Sequence, residues 1–356
     1  MAVSRVTLQT LADELGVSRA TVSNAFGRPD QLSAALRERI LAKAEELGFA
    51  GPDPVGRGLR RGRVGAVGVL LDQGLSYAFS DPATVMYLDG LAQELQASGF
   101  GLLMHAGTGA GDDVALVRSA LVDAWVVASL PAGHPAVRAA QAHRRPMVVF
   151  DQPDLDGVPT VGLEDATGAA LATRHLLDQG HRRFGVLTMA LQADGRQGVA
   201  DPARQRRATY AAMARRLAGV RAEVSACGLD WSDVVVIECA TNTVDTGALA
   251  TWELLDRAER PSAVVAFSDQ LAIGALLTAR ELGIAVPHDL SVVGFDDTPP
   301  AAAADPPLTT VSQPLHERGR AAGVLVRELV QGLEVQAPAP FPVELVVRGS
   351  TARVAG

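Results

Sequence analysis

Polar side chains recur directly after apolar runs in the second part of this 356-residue chain. The pairs are Asp72 and Gln73, Asp151 and Gln152, Ser268 and Asp269, and Asp296 and Asp297. Ionised carboxylates accept hydrogen bonds from neighbouring hydroxyl groups, so this set suits a neutral polyhydroxylated ligand. Any one of these carboxylates alone is more simply a solvated loop residue. Their recurrence after four apolar runs is what favours a binding cleft.

A second set of polar residues lies near the N-terminus, between positions 18 and 24. Arg19 is the best candidate for reading a base, because a guanidinium can pair with O6 and N7 of guanine. Ala20 can touch a thymine methyl group, and Asn24 is expected to face the same way. Thr21 and Ser23 can donate hydrogen bonds to phosphates. Contact with phosphate or solvent alone stays open for Arg19 and Asn24.

Short helices must position these residues. Thr7 can cap a helix over Leu8–Leu15, a glycine turn follows, and Ser18 can cap a second helix that runs to about Phe26. A third helix from about residue 33 to residue 47 completes a small core. The pattern predicts a helix-turn-helix domain over residues 1–50, whose second helix enters the major groove of DNA.

An arginine-rich segment, residues 51–63, follows this domain. It is rich in Gly and Pro as well, so we expect a poor helix in isolation. If it becomes helical on DNA, Leu59 is placed as an apolar wedge for a minor groove, beside phosphate-binding arginines such as Arg57. An ordinary flexible linker is the alternative.

The charge distribution fits this division. Residues 1–63 carry a formal charge of +3 and the remaining residues −11, which the total of −8 conceals. A polyanion is therefore attracted to one part of the chain and repelled by the other.

The rest of the chain alternates apolar strands with helices. Continuous apolar strands indicate parallel sheets covered on both faces, and we expect two doubly wound lobes. The predicted effector-binding and dimerisation domain spans residues 64–356. Its first lobe takes about 64–162 plus 296–322, and its second lobe about 163–295 plus 323–350. Ligands of such sheets bind beyond the carboxyl ends of the strands.

Several classes of protein fit poorly. No apolar run is long enough for a membrane span and none precedes Arg5 as a signal, so we expect a cytoplasmic protein. Cys227 and Cys239 lack metal-ligand spacing, and no metal or other cofactor is expected. No nucleophile elbow, P-loop or complete dinucleotide fingerprint is present, so we do not expect an enzyme. A small-molecule-binding protein or enzyme that does not read DNA sequence remains the alternative from a different class.

The chain resembles the LacI family of bacterial transcriptional repressors from Val6 to about Thr351. The matching stretches are Val6–Asn24, His175–Leu177, Gly180–Arg183, Ser268–Gly274, Ser291–Asp297, Pro307–Val311 and Val347–Ser350.

The resemblance implies a repressor that dimerises through its body, binds a palindromic operator on double-stranded DNA, and changes its affinity when an effector occupies the cleft. It assigns base reading to Arg19, Ala20 and Asn24 and the minor-groove leucine to Leu59. The implied effector positions are Tyr77, Phe79, Asp81, Asp151, Arg204, Ser268, Asp296 and Gln313. A carbohydrate is the preferred effector and a nucleoside or purine the second choice. Without a C-terminal leucine heptad, a dimer is expected rather than a tetramer.

Overall fold

The computed structural model describes residues 6–27, 29–51, 63–107 and 111–354. The chain divides into two compact units, Met1–Gly65 and Ala66–Gly356, called here the head and the body. Arg57 and Leu59 lie outside the described residues. Within the described ranges, no helix is both long and apolar enough to cross a membrane.

The described part of the head forms a domain of three α-helices. Its α-helices are α1 (Leu8–Leu15), α2 (Arg19–Gly27) and α3 (Ala34–Glu46), with a short 3-10 turn at Pro29–Gln31. Hydroxyl side chains cap all three: Thr7 accepts from the Thr10 amide at 3.2 Å, Ser18 from Thr21 at 3.0 Å and Ser33 from Leu36 at 3.3 Å. The buried core consists of Leu8, Leu11, Ala12, Val22, Ala25, Ile40 and Ala44. The predicted helix-turn-helix fold is therefore present.

The first lobe of the body is built on a five-stranded parallel sheet in the order β2-β1-β3-β4-β5. The strands are β1 (Ala66–Leu71), β2 (Gly101–Ala106), β3 (Ala124–Ala128), β4 (Met147–Phe150) and β5 (Thr160–Val161). The helices between them are α4 (Leu75–Ala78), α5 (Pro82–Ala97), α6 (Gly111–Ser119) and α7 (Pro135–Ala142).

The second lobe has a seven-stranded sheet in the order β12-β11-β10-β9-β6-β8-β7. The strands are β6 (Phe184–Thr188), β7 (Gly198–Val199), β8 (Val235–Glu238), β9 (Ala263–Ala266), β10 (Ser291–Asp296), β11 (Thr309–Ser312) and β12 (Glu344–Val346). Its interior is parallel as predicted, while the two edge strands β7 and β12 pair antiparallel. The helices up to the last crossover are α8 (Asp165–Asp178), α9 (Pro202–Arg206), α10 (Ala211–Ala226), α11 (Val244–Leu255), α12 (Asp269–Glu281) and α13 (Pro299–Ala303).

The chain crosses between the lobes at places that differ from the predicted ones. Residues 296–312 belong to the second lobe, because β11 pairs with β10 and buries Val311. Helix α14 (Leu315–Val330) belongs to the first lobe over its whole length, since Leu315, Leu325 and Val326 bury against that sheet. The predicted assignments of 296–312 to the first lobe and of 323–330 to the second were therefore wrong.

The stretch from residue 202 to residue 226 forms two helices with a break between them. The backbone amides of Thr209 and Tyr210 donate to the carbonyl of Leu191 at 2.7 and 3.3 Å. Because these two amides donate to a loop carbonyl and not to a carbonyl within a helix, α9 ends at Arg206 and a new helix, α10, begins at Ala211. The break places Tyr210 opposite the first lobe.

Helices α5 and α14 cross at very short range. A Cβ atom built on Gly319 would overlap the backbone oxygen of Tyr87, and one built on Gly90 would overlap the backbone oxygen of His316. Only glycine permits this approach. The close crossing lets α14 pack on the first sheet.

Gly319→Ala should therefore lower the free energy of unfolding of the body by about 1–3 kcal/mol, because the methyl group overpacks the crossing. Urea unfolding can be followed by tryptophan fluorescence, since Trp125, Trp231 and Trp252, the three tryptophans of the chain, all lie in the body. Gly111→Ala is the matched control, because a Cβ there meets nothing within 4 Å. Equal stability of the two variants would contradict the close-crossing argument.

Candidate functional site

The second helix of the head presents an exposed N-terminal turn. Ser18, Arg19 and Ala20 are exposed, whereas Val22 is buried in the core of the head. The Ser18 hydroxyl, which caps the helix as predicted, lies 2.8 Å from the hydroxyl of Thr21, a predicted phosphate donor. The turn thus combines a cation, a methyl group and hydroxyls on one surface.

The remaining head residues named in the sequence analysis differ in their surroundings. Thr7 is exposed and engaged in a capping box with Thr10. Ser23 is half-buried. Asn24 donates through Nδ2 to Oε1 of Gln31 at 3.2 Å. Gln31, which is exposed, was not among the predicted residues, and it restricts the orientation of the Asn24 amide.

A cavity of about 170 Å³ lies between the two lobes of the body. Five of the eight predicted effector positions line it, namely Tyr77, Asp81, Asp151, Asp296 and Gln313. Polar lining residues that were not on that list are Asp72, Gln73, Thr84, Tyr87, Ser129, Gln152, Tyr210, Arg216, Thr241 and Asn242. Asp72, Gln73 and Gln152 had been singled out only as residues that follow strands.

Carboxyl groups dominate the electrostatics of this cavity. Burial raises the pKa of Asp72 to about 6, opposed by the hydrogen bond from Tyr210. Burial also raises the pKa of Asp81, which the hydrogen bonds from Thr84 oppose. For Asp296, burial and then the negative charge of Asp269 raise the pKa well above its usual range. A desolvated carboxyl of this kind is stabilised by any ligand group that can hydrogen-bond to it.

A chain of hydrogen bonds runs from the cavity to the lobe crossovers. Gln313 donates to Asp296 at 2.6 Å and accepts from Nη1 of Arg318 at 2.6 Å. Through Nη2, Arg318 pairs with Asp151, whose other oxygen accepts from the Ser129 hydroxyl at 3.2 Å. Asp151 and Asp296 therefore belong to one polar network even though they lie at the ends of strands of different lobes.

Three further hydrogen bonds join the lobes across the cavity. The Tyr210 hydroxyl donates to Asp72 at 2.8 Å, and Nδ2 of Asn242 donates to the Tyr77 hydroxyl at 2.9 Å. The Ala212 amide donates to Oε1 of Gln152 at 2.8 Å. The width of the cavity is thus set by side chains that line it.

Arg216 is a cationic residue of the cavity wall. It donates to Asp165 at 2.9 Å and to the Phe267 carbonyl at 2.5 Å, and its guanidinium lies 3.6 Å from the centroid of the Phe295 ring. In the sequence, its helical spacing from Ala212 and Met213, which also line the cavity, was the available signal.

The chain matches the model of a periplasmic binding protein-like domain over residues 173–351. It is 42% identical to the HTH-type transcriptional regulator Rv3575c of Mycobacterium tuberculosis, over 93% of both chains. It is 31% identical to the HTH-type transcriptional repressor CytR of Escherichia coli K12, over 97% of this chain and 96% of CytR. A LacI family regulator from Corynebacterium glutamicum superposes with a TM-score of 0.76 at 33% identity, over 99% of this chain and 100% of the other.

The chain belongs to the LacI family of transcriptional regulators. Its fold class, a helix-turn-helix head with two periplasmic-binding-protein-like lobes, is confirmed. The complex of the transcriptional regulator CelR with cellobiose is a further structural neighbour, with a TM-score of 0.69 and 28% identity over 97% of this chain and 100% of that one. The lac repressor dimer bound to operator shares the fold, with a TM-score of 0.76 at 24% identity over 98% of this chain and 100% of that one.

Three positions assigned from the LacI family do not line the cavity of this member. Phe79 is 73% exposed to solvent. Ser268 is buried and donates to Oδ1 of Asn242, so it orients an amide side chain that lines the cavity. Arg204 is buried in an ion-pair cluster with Glu238 and Asp194, at 2.7 and 2.6 Å. Its guanidinium fixes a loop of the second lobe.

The raised pKa of Asp72 predicts a pH dependence of stability in this LacI-family body. The pKa is 3.8 ordinarily and about 6 in the folded protein, so the folded state holds this proton more tightly. The contribution is fully present below pH 3.8 and is lost as pH rises through 6. Asp72→Asn should therefore show a smaller fall in unfolding free energy between about pH 4 and pH 6.5, measured by urea unfolding.

The slope should shrink rather than vanish. Burial also raises the pKa of Asp269 to about 6, and this residue is present in both proteins. Superimposable pH profiles would contradict the assignment to Asp72.

Proposed function

We propose that this LacI-family protein is a repressor whose affinity for a palindromic operator is set by a neutral carbohydrate bound between the lobes, and that it acts as a homodimer. The cavity between the lobes is the observation that carries the proposal. It is lined by carboxyl groups from both lobes and crossed by the hydrogen bonds that hold the lobes together.

The head supports sequence reading. Arg19 and Ala20 are exposed at the start of the second helix, where the residues of such a helix meet base edges in the major groove. The positive charge of residues 1–63 attracts the phosphate backbone, and the negative charge of the remainder disfavours contact with it.

The chemistry of the cavity favours a neutral, hydroxyl-rich effector. Asp72, Asp81, Asp151 and Asp296 line it, whereas its cation Arg216 is already paired with Asp165. Hydroxyl groups can donate to these carboxyls, whereas a phosphate would be repelled by them. A cavity of about 150 Å³ holds one benzene ring, so about 170 Å³ suits a single sugar ring in this state of the lobes. The CelR relative, which has been solved with cellobiose, supports the same class.

Effector control follows if the lobes have two arrangements. A ligand shifts such an equilibrium only by its differential affinity for the two states. An effector that contacts Asp72 and Asp296 meets groups whose hydrogen bonds cross from lobe to lobe or run into the crossovers. Either sign of control, induction or corepression, is compatible with this arrangement.

Selection from a pool of random duplexes tests the proposal, with sequencing of the bound fraction. We expect a palindromic motif whose recovery changes when one sugar of a panel is added. Arg19→Ala should lose the preference at one base pair in each half-site, worth about 1–3 kcal/mol if the contact is bidentate.

Equal loss of affinity for all duplexes on Arg19→Ala would indicate a phosphate contact instead. No enriched motif with a folded body would refute sequence reading. A motif that responds to a nucleoside and to no sugar would refute the carbohydrate assignment while leaving the operator assignment intact.

An exposed apolar face supports the homodimer. Leu249 and Trp252, three residues apart on α11, are 61% and 54% exposed. Exposed apolar side chains of this size that share one helix face indicate a contact surface. A second copy is the occupant we propose, because a solved structure of the same fold is a dimer.

Trp252→Lys should shift the protein toward monomers in sedimentation velocity, because it places a charge in an apolar contact. Leu333→Lys is the matched control, since Leu333 is 53% exposed and lies beyond α14. A Trp252→Lys protein that sediments as wild type would remove α11 from the proposed dimer contact.

A further inference from the structure

A second cavity, of about 410 Å³, adjoins the one between the lobes. We call it the outer cavity, and the cavity of about 170 Å³ the inner cavity. Six residues line both, namely Asp72, Gln73, Gly74, Ala190, Tyr210 and Ala240. The first three belong to the first lobe and the last three to the second. The wall between the two cavities is therefore built where the lobes meet.

The two cavities differ in their access to solvent. The outer cavity is lined by exposed residues of both lobes, Pro135 from the first and Ala193 and Gly195 from the second. The residues that line the inner cavity all lie in the described ranges, and of these Thr241 alone is exposed. A ligand that reaches the inner cavity has to pass through the outer cavity or beside Thr241.

A hydrogen bond between the lobes closes the wall that the two cavities share. The Tyr210 hydroxyl donates to Oδ1 of Asp72 at 2.8 Å. The remaining shared residues Gly74, Ala190 and Ala240 have small side chains or none, so Tyr210 and Asp72 supply much of the bulk of this wall. Their bond lies across the way from the outer cavity to the inner one.

The second lobe fixes the backbone of Tyr210 at this wall. The Leu191 carbonyl accepts from the amides of Thr209 and Tyr210, at 2.7 and 3.3 Å. The Leu191 amide donates to Oε1 of Glu238 at 2.6 Å, and Arg204 donates to both oxygens of Glu238, at 2.8 and 2.7 Å. The buried Arg204 ion pair, which lines neither cavity, therefore holds the segment from which the Tyr210 side chain reaches the first lobe.

The bond itself is a weak barrier on a firm support. A single hydrogen bond contributes little net free energy, because both partners bond to water once they separate. The outer cavity is open to solvent beside this bond, so water can reach the hydroxyl and the carboxyl when they part. The side chains can thus separate while the Arg204 cluster stays intact.

We propose that the hydrogen bond from Tyr210 to Asp72 is a gate between the outer and inner cavities, through which an effector enters while the lobes stay together. The bonds from Asn242 to Tyr77 and from the Ala212 amide to Gln152 remain closed when the gate opens. This inference deepens the proposed function, because it names the route to the effector cavity. It holds for an effector of any class that the inner cavity accepts.

Thiol labelling tests the gate without an effector. Ala128→Cys places a thiol on the inner cavity, because Ala128 lines that cavity and not the outer one and is 2% exposed. Cys227→Ser removes an exposed native thiol. Cys239 is buried and lines neither cavity, so it stays as an internal control for unfolding. The full-length protein is treated with methyl methanethiosulfonate, a small neutral reagent, and labelling is followed by mass spectrometry.

Tyr210→Phe should accelerate labelling of the introduced thiol about tenfold, the change in open population that corresponds to a lost hydrogen bond of roughly 1.4 kcal/mol. The ring remains, so the wall keeps its bulk and only the bond is removed. Cys239 should stay protected.

Tyr77→Phe is the matched control. It also removes one phenolic oxygen and one hydrogen bond between the lobes, from Asn242 at 2.9 Å, but Tyr77 does not line the outer cavity. We expect it to accelerate labelling less than Tyr210→Phe does. An equal or greater acceleration would mean that the lobes separate as a whole or that the reagent enters beside Thr241, and either result would refute the gate.

The other outcomes separate the gate from the proposed function. An unchanged labelling rate in Tyr210→Phe would refute the gate and leave the carbohydrate effector standing. If Cys239 reacts as fast as the introduced thiol, the inner cavity is reached by unfolding and the gate is refuted as well. A protein that shows the expected labelling rates and binds no sugar would lose the carbohydrate assignment and keep the gate.

Discussion

The body depends on one buried charge. The Arg318 side chain is fully buried, and its guanidinium pairs with Asp151, donates to Gln313 and contacts the Val161 carbonyl at 3.3 Å. Val161 ends β5 and Gln313 lies between β11 and α14, both at places where the chain leads from one lobe to the other, while Asp151 follows β4 within the first lobe. Taking a guanidinium out of water costs several kcal/mol unless well-placed partners compensate. The end of β5 and the connection between β11 and α14 must therefore meet Asp151 at Arg318, and this requirement fixes two of the places where the lobes are joined.

The same requirement links the ligand site to the joint. Gln313 bridges Asp296 and Arg318, because its amide nitrogen donates to the carboxyl in the cavity while its amide oxygen accepts from the guanidinium. A ligand hydroxyl that replaced Gln313 at Asp296 would move the same amide group that accepts from Arg318. Coupling of this kind needs no long path, because a single residue separates the cavity from the crossover. The aromatic ring of Phe150 extends the connection, since Arg318 lies 4.3 Å from its centroid and Tyr87 stacks on it.

The parts of the structure that the sequence predicted are those that local chemistry decides. Hydroxyl caps at Thr7, Ser18 and Ser33 mark the head helices, and the apolar runs that end at Asp72, Asp151 and Asp296 mark strand ends. What the sequence did not reveal depends on distant partners. Arg204 and Arg216 are equivalent as residue types, and only the positions of Glu238 and Asp165 decide which arginine stabilises a loop and which lines the cavity. The break before Tyr210 arises in the same way, because its amide bonds to Leu191 rather than within a helix.

Helix α14 gives the first lobe an unusual order of assembly. Its residues Leu315, Leu325 and Val326 complete the apolar core of a sheet whose strands all lie within residues 66–161. During synthesis, the first five strands emerge long before the helix that covers them, and every strand of the second sheet except β12 emerges in between. The surface of α5 around Gly90, which α14 covers in the folded body, has no partner throughout that interval. The first lobe is therefore completed after most of the second has been made, and a fragment cut at the first crossover would lack part of its own core.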